Sequence, residues 1–233
     1  MTRTSIGRWA WTVLLLATAA RAGEGNPFSE AYPDPGRFEK DIAAFEAADE
    51  THPPPAGATL CIGSSSMRMW HPVIARDLAP LAVIPRGFGG STMLDVLHFA
   101  PRIVLPYRPG AILLYEGDND IDFGVTPAEF LAAFRAFVDL VEEEFPETPI
   151  FVISIKPSGL RWAKWPAMQK ANKFLEAECA ANESLTYIDV ALHLLDEEGL
   201  PDEAYFLPDR LHLNEKGYEV WSGVIAGVLL EDR

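Results

Sequence analysis

The sequence predicts a single α/β domain of three layers, with helices on both faces of a parallel sheet of about five strands. Five short apolar runs have the length of strands, and longer amphipathic stretches with helical spacing separate them. The runs lack alternation of polar and apolar residues, which is typical of strands covered on both faces. With 233 residues, 48% of them hydrophobic, the chain can bury one sizeable core.

The N-terminal segment has the residue order of a secretory signal peptide. Arg3 and Arg8 precede an apolar run of about 12 residues, and the run is followed by Ala20-Arg21-Ala22. It is shorter than the roughly 20 residues that a membrane-spanning helix needs. We therefore expect residues 1–22 to be a cleaved signal peptide and residues 23–233 to form one exported domain, periplasmic or secreted, without stable membrane insertion. Retention of the segment as an anchor is the alternative.

The predicted domain begins with a helix within residues 34–50, where Phe38, Ile42 and Phe45 share one face. Pro53-Pro54-Pro55 forbids its continuation. The runs interpreted as strands are Thr59–Ile62, Leu81–Ile84, Ala111–Tyr115, Ile150–Ile155 and Leu185–Val190. The stretches interpreted as helices are Ser91–Leu105, Pro127–Phe145, Ala163–Asn182 and Glu215–Leu230. Thr126 followed by Pro127 predicts a capped start for the second of these stretches.

Two cysteines are available to an exported chain, in which disulfides are permitted. Cys61 lies in the first apolar run and Cys179 on a helical stretch, so we expect two buried free thiols. A bridge between them remains the alternative.

The chain is too acidic for general nucleic-acid binding. It holds 19 Lys and Arg against 34 Asp and Glu, a formal charge of −15. Because a surface of this sign does not neutralise phosphates, we expect no nucleic-acid partner. Removal of residues 1–22, which contain three Arg and no acid, makes the domain still more acidic.

Polar motifs stand where the predicted strands end. GSSS (63–66) follows the first strand, RGFGGST (86–92) the second and EGDND (116–120) the third, and DRLHLN (209–214) lies near the C-terminus. The carboxyl ends of parallel strands meet at one edge of a sheet, so these motifs can share a cleft. They supply a hydroxyl, glycine amides, a carboxamide, an imidazole and a carboxylate, which is the set needed for acyl transfer through a serine.

The spacing of Asp209 and His212 suits a base whose second ring nitrogen is held by a carboxylate. Ser64, Ser65 and Ser66 are each candidate nucleophiles, and the alternative is that they only cap a short helix that follows. An asparagine side chain and a glycine amide can donate hydrogen bonds to a carbonyl oxygen that becomes an oxyanion.

The four motifs, in this order, resemble the four blocks of the SGNH hydrolases, also called GDSL esterases and lipases. The resemblance implies a flavodoxin-like three-layer fold, Ser65 as nucleophile, and the pair Asp209 and His212. It also implies an oxyanion hole formed by the amides of Ser65 and Gly90 and the side chain of Asn119. Where the family name expects Asp before the nucleophile this chain has Ser64, so Ser64 remains an alternative nucleophile.

The reaction that the resemblance implies is hydrolysis of carboxylic esters through an acyl-enzyme, with no cofactor and no metal. Four side chains predicted at the same edge, namely Arg86, Lys156, Arg161 and Trp162, suggest a locally positive, aromatic wall that binds substrate. No long apolar stretch resembles a lid. We therefore expect a small-molecule or glycan ester as partner, with a short acyl group of the acetyl type on a carbohydrate or cell-envelope substrate.

Three other functions remain open at this point. A lysophospholipase-type lipid acylhydrolase would use the same residues on long acyl chains. An O-acetyltransferase would pass the acyl group to a polysaccharide hydroxyl instead of water. A non-catalytic carbohydrate-binding module would keep only the fold, although the intact set of Ser65, Asn119, Asp209 and His212 argues against it. The sequence makes no prediction of oligomeric state.

Overall fold

The fold is built on five parallel strands, seen in a computed structural model that describes residues 28–231. The strands are β1 (Thr59–Gly63), β2 (Val83–Gly87), β3 (Ala111–Tyr115), β4 (Ile150–Ile153) and β5 (Leu185–Ile188). All neighbouring pairs are parallel, and the order across the sheet is β2-β1-β3-β4-β5. The prediction of a parallel five-stranded α/β sheet is confirmed. The predicted signal peptide, residues 1–22, lies outside the described residues.

Eight α-helices connect or flank these strands within the described part of the chain. They are α1 (Glu39–Thr51), α2 (Ser65–Trp70), α3 (Ile74–Asp77), α4 (Met93–Ile103), α5 (Asp118–Phe123), α6 (Pro127–Glu144), α7 (Trp165–Ala181) and α8 (Glu215–Glu231). Helix α6 begins where the sequence predicts, because Thr126 and Glu129 form a capping box around Pro127. Between residues 28 and 231, no helix is both long and apolar enough to cross a bilayer.

The sheet separates two apolar clusters. Neighbouring residues of a strand point to opposite faces, so Leu114 enters one cluster and Tyr115 the other. The first cluster packs α1, α4, α6 and α7 against one face, and the second packs α2, α3 and α8 against the opposite face. Both faces of the strands are therefore covered, which explains their uninterrupted apolar sequence.

The two cysteines lie on different sides of this sheet. Cys61 belongs to the cluster under α8, whereas Cys179 belongs to the cluster under α4, α6 and α7. Both are buried and free. The sheet between them explains why the expected pair of free thiols is found and the alternative bridge is not.

Some element boundaries differ from those that the sequence predicts. The second strand runs from Val83 to Gly87 rather than from Leu81 to Ile84, because pairing with β1 continues through Arg86. The first helix starts at Glu39, after a 3-10 turn over Pro35–Phe38. The fourth and fifth strands end two residues earlier than predicted. The short helices α3 and α5 were not predicted as separate elements.

The order of the strands also places the functional motifs. From β1 the chain passes to β2 on one side, and β3 lies on the other side of β1. In sheets of this kind the loops at the carboxyl ends diverge at such a point and leave a crevice. The GSSS, RGFGGST and EGDND motifs, at the ends of β1, β2 and β3, therefore surround one crevice.

Candidate active site

The turn after β1 brings the backbones of two strands into contact. Gly63 has φ of 147°, and a Cβ atom at this residue would lie 2.1 Å from the carbonyl oxygen of Tyr115. Only glycine fits such a position. The N–H of Ser64 donates to the same carbonyl oxygen at 3.2 Å, and Ser65 then begins α2. The turn thereby buries the residue at position 64 and leaves the Ser65 side chain half-buried at the crevice.

The structure joins three residues that the sequence singles out. His212 Nε2 lies 2.9 Å from Ser65 Oγ, and His212 Nδ1 lies 2.7 Å from Asp209 Oδ2. The second carboxylate oxygen of Asp209 accepts the backbone N–H groups of Leu211 and His212 at 2.9 and 3.0 Å. Of the three candidate serines, Ser65 is the one in hydrogen-bond contact with the imidazole, while Ser64 is 2% exposed at the N-cap of α2.

The charge on Asp209 fixes how the imidazole is oriented. Partial burial opposes ionisation of this carboxyl, but hydrogen bonds from the His212 ring and from two backbone N–H groups lower its pKa to about 2. The ionised carboxylate accepts a hydrogen bond from Nδ1, which leaves the lone pair of Nε2 for the Ser65 hydroxyl. This is the tautomer that a general base requires.

The loop that holds Gly90 is tied to the crevice by side chains after β3. Gly90 has φ of 90°, a left-handed conformation that favours glycine. Its neighbour Ser91 donates through Oγ to Glu116 Oε1 at 2.5 Å, and the Ser91 carbonyl oxygen accepts Asn119 Nδ2 at 2.8 Å. Asn119 is thus brought beside the Gly90 loop, as the sequence motifs indicate.

Two buried carboxyl groups next to Asn119 were not predicted as functional. Burial raises the pKa of Glu116 well above its usual value, and the nearby charge of Asp120 raises it further. Burial also raises the pKa of Asp120 to about 6, although it accepts hydrogen bonds from Met93 N and the Tyr32 hydroxyl, both at 2.9 Å. Glu116 holds Ser91 through its hydroxyl, and Asp120 holds the start of α4 through the N–H of Met93. Their signal in the sequence is the position of EGDND directly after a buried strand.

Two of the four residues predicted to bind substrate are paired with carboxylates of the fold. Lys156 has a fully buried side chain whose Nζ lies 3.0 Å from Asp118 Oδ2. Arg86 forms an ion pair with Asp49 and donates to the Tyr107 hydroxyl at 2.7 Å. Pairing with acceptors of the fold is what retains a buried charge, and substrate binding by these two cations stays a prediction.

The other two predicted substrate-binding residues lie in the loop after β4, which also contacts the turn that holds His212. Leu160 N donates to Arg210 O at 3.0 Å. Arg161 reaches Asn119, with 3.0 Å between Nη1 and Oδ1. Trp162 is half-buried and stacks on Trp165 with 6.0 Å between ring centroids. The two indoles border an open cavity of about 350 Å³, lined by Trp162, Trp165, Pro166, Gln169 and Gly199.

Comparison with known proteins gives a family match over most of the chain. The model of the GDSL-like Lipase/Acylhydrolase family matches residues 56–220. Platelet-activating factor acetylhydrolase IB subunit alpha1 of Pongo abelii is 26% identical over 210 residues, which cover 84% of this chain and 87% of that protein. The protein of the same name from Homo sapiens is 26% identical over 208 residues, with the same shares of both chains.

Solved structures share the architecture at lower identity. A GDSL-like lipase from Bacteroides thetaiotaomicron is 16% identical, with a TM-score of 0.68 over 86% of this chain and 98% of that one. A catalytic mutant of an acetylxylan esterase from Geobacillus stearothermophilus is 14% identical, with a TM-score of 0.59 over 73% and 93% of the two chains. At these identities the likeness shows a common fold.

Proposed function

This chain belongs to the GDSL-like lipase/acylhydrolase family and is an ester-bond hydrolase, and we propose that it removes short acyl groups, of the acetyl type, from carbohydrate or cell-envelope esters. The observation that carries the proposal is the hydrogen-bonded series from Asp209 through His212 to Ser65. Family membership agrees with the resemblance that the four sequence motifs indicate.

The first half of the proposed reaction acylates Ser65. Its Oγ attacks the ester carbonyl carbon while the hydroxyl proton passes to His212 Nε2, and Asp209 stabilises the imidazolium that forms. The negative charge develops on the former carbonyl oxygen, where the N–H groups of Ser65 and Gly90 and the Nδ2 group of Asn119 donate to it. The tetrahedral intermediate collapses, and His212 returns the proton to the departing alcohol.

The second half of the reaction uses the same groups on water. His212 Nε2 removes a proton from a water molecule as the water oxygen attacks the acyl carbon of the Ser65 ester. The same three donors hold the second oxyanion. Collapse breaks the bond to Ser65 Oγ, which takes the proton back from His212, and the carboxylic acid leaves.

Support for a short acyl group comes from the names of two kinds of similar protein. The curated relatives are named as acetylhydrolases of platelet-activating factor, and one structural neighbour is named as an acetylxylan esterase. An acetyl group is common to both names. The half-buried indole of Trp162, stacked on the buried Trp165, offers an aromatic surface of the kind that packs against sugar rings, which favours a glycan as the alcohol part.

The proposal is tested with p-nitrophenyl esters of increasing acyl length, acetylated xylan and a long-chain lysophospholipid. We expect the highest kcat/KM on the acetyl ester, release of acetate from the glycan, and a loss of at least about 10⁴-fold in kcat for Ser65→Ala. Ser64→Ala, a change at the adjacent hydroxyl, is the matched control and should keep kcat within about threefold.

Other outcomes would contradict parts of the proposal. Cleavage of the lysophospholipid without acetate release from the glycan would favour a lipid acylhydrolase. Acetyl transfer to an added sugar in excess of hydrolysis would favour an acetyltransferase. Full activity of Ser65→Ala would exclude Ser65 as nucleophile, and an unmutated protein inactive on every ester would leave only a binding function.

A further inference from the structure

The side chain of Asn119 can serve the oxyanion only if its NH₂ group, and not its carbonyl oxygen, faces the crevice. One end of the carboxamide is set by Ser91, whose carbonyl oxygen accepts Nδ2 at 2.8 Å. At the other end, Arg161 Nη1 lies 3.0 Å from Oδ1 and donates to it. Rotation of the amide by 180° would place its oxygen against the Ser91 carbonyl oxygen and its NH₂ group against the guanidinium. Both contacts would then be repulsive.

Arg161 is itself held in place by two carboxylates of helix α5, which begins at Asp118. Its Nη1 lies 2.6 Å from Asp118 Oδ1 and its Nη2 lies 3.0 Å from Asp122 Oδ2. The side chain is 13% exposed, so a freely moving substrate group has little access to it. A planar guanidinium can satisfy three acceptors at fixed angles, which a single ammonium group cannot do with the same geometry.

The carboxylates that hold Arg161 are also paired with two lysines. Asp118 faces two cations, since Lys156 Nζ lies 3.0 Å from its second oxygen, and Lys164 Nζ lies 2.8 Å from Asp122 Oδ1. Lys156, Lys164 and Arg161 thus share the carboxylates of Asp118 and Asp122, and of the three cations Arg161 is the one that also donates to Asn119. A hydrogen bond from a cation to Oδ1 polarises the amide and strengthens the donor at Nδ2.

We propose that Arg161 is a positioning residue for the oxyanion hole, which orients and polarises the Asn119 carboxamide through its hydrogen bond to Oδ1. This assignment rests on the proposed function of Asn119 as an oxyanion donor. It replaces the expectation that Arg161 binds the substrate directly. Arg161 acts most strongly when negative charge develops on the substrate oxygen, so its effect falls on kcat rather than on KM.

A double-mutant cycle with p-nitrophenyl acetate tests the assignment. We expect Asn119→Ala to lower kcat by about 10²- to 10³-fold. Arg161→Ala should lower kcat by about 10- to 100-fold with KM within about threefold, because the charged hydrogen bond to Asn119 Oδ1 is lost. In the double variant Arg161→Ala should add less than about threefold to the loss caused by Asn119→Ala, since it has no carboxamide left to orient. Arg135→Ala is the matched control, since it removes an arginine whose ion pair is with Glu178, outside this cluster, and it should keep kcat within about threefold.

A second measurement separates positioning from a general effect on folding. Added guanidinium, far below unfolding concentrations, should restore part of kcat to Arg161→Ala but none to the Asn119→Ala, Arg161→Ala pair. If Arg161→Ala does not unfold cooperatively, the cycle is run with Arg161→Lys, which keeps the charge and should show an intermediate loss of kcat with the same dependence on Asn119.

Multiplicative losses in the double variant, or a rise in KM at constant kcat, would overturn the assignment and return Arg161 to substrate binding. Full activity of Arg161→Ala beside a defective Asn119→Ala would also overturn it while the esterase proposal stands. An unmutated protein without esterase activity, or an Asn119→Ala variant with full activity, would instead remove the proposed function itself.

Discussion

Asp209 holds the imidazole of His212 from a position that is open to solvent. Its side chain is 45% exposed, and its two oxygens accept one ring N–H and two backbone N–H groups. Water screens the Coulomb attraction between exposed charges, so the attraction alone contributes little. Orientation of the His212 ring is therefore the main contribution that we assign to Asp209.

If Asp209 orients the imidazole, Asp209→Asn should cause a selective defect in kcat. An amide has no charge, and its NH₂ group can turn toward Nδ1 and favour the wrong tautomer of His212. We expect kcat to fall by between about 10²- and 10⁴-fold with little change in KM, measured on p-nitrophenyl acetate. Asp202→Asn is the matched control, because Asp202 also caps a nearby turn through the Ala204 N–H but does not contact the imidazole. Equal kcat values for Asp209→Asn and Asp202→Asn would contradict the role.

The contacts of single residues could be predicted from the sequence where the partner is only a few positions away. They could not be predicted from the residues themselves where the partner lies on a distant part of the chain. Asp209 and His212 are three positions apart, and the sequence indicates their contact. Lys156 appears as a free cation in the sequence because its partner Asp118 is 38 positions away. Glu116 was missed for a related reason, since the hydroxyl that it accepts belongs to Ser91 on another loop.

At the scale of elements, the end of β2 depends on a histidine of the neighbouring turn. The N–H of Gly87 donates to His71 Nε2 at 2.8 Å, directly after α2 ends. A Cβ at position 87 would lie 2.3 Å from the backbone nitrogen of Arg68, so α2 packs closely on this strand end. The contact fixes the start of the Gly90 loop.

A pH dependence of stability follows from the half-buried imidazole of His71. Burial, together with the nearby charges of Arg86 and Arg68, lowers the pKa of His71 to about 4. In the unfolded chain a histidine has a pKa near about 6.5, so the folded state binds fewer protons between these two values. The stabilising contribution of neutral His71 is therefore complete above about pH 6.5 and is lost as the pH falls toward about 4.

The matching experiment compares urea unfolding of the unmutated protein with that of His71→Gln between pH 7.5 and pH 4. The difference in unfolding free energy isolates His71, because other titrating groups are common to both proteins. We expect the advantage of the unmutated protein to shrink as the pH falls through this range. An advantage that stays constant, or grows, would show that His71 does not bind to Gly87 as a neutral acceptor.

Most elements were predictable because their signals are carried by consecutive residues. The apolar runs give the strands, and the cap at Thr126 gives the start of α6. The second strand was placed two residues too early because Arg86 suggests a loop. Only the three-dimensional fold supplies Asp49 and Tyr107, which allow that arginine to be buried in a strand. The helices α3 and α5 have four and six residues, too few for a periodic pattern.

At the scale of the whole molecule, the sheet order explains how distant residues form one site. Ser65 and His212 are 147 positions apart, yet both lie at the carboxyl edge of the sheet, where β1 and its two neighbours diverge. The acidity of the chain gives no information on this crevice, because the nearby cations Arg86, Lys156 and Arg161 are each paired with a carboxylate of the fold. Export of the domain and cleavage after Ala22 stay predictions from the sequence of residues 1–22.

We propose that one serine of this molecule, Ser65, is an activated nucleophile. Treatment of the full chain with diethyl p-nitrophenyl phosphate, followed by peptide mass spectrometry to locate the modified residue, tests this role. Attack by Ser65 Oγ on phosphorus forms the P–O bond, releases p-nitrophenolate and leaves the diethylphosphoryl group on the enzyme.

We expect one diethylphosphoryl group per chain, located on Ser65, with loss of esterase activity in proportion to labelling and no labelling of Ser65→Ala. Labelling of Ser64 or Ser66, or full esterase activity in a chain labelled at Ser65, would contradict the account.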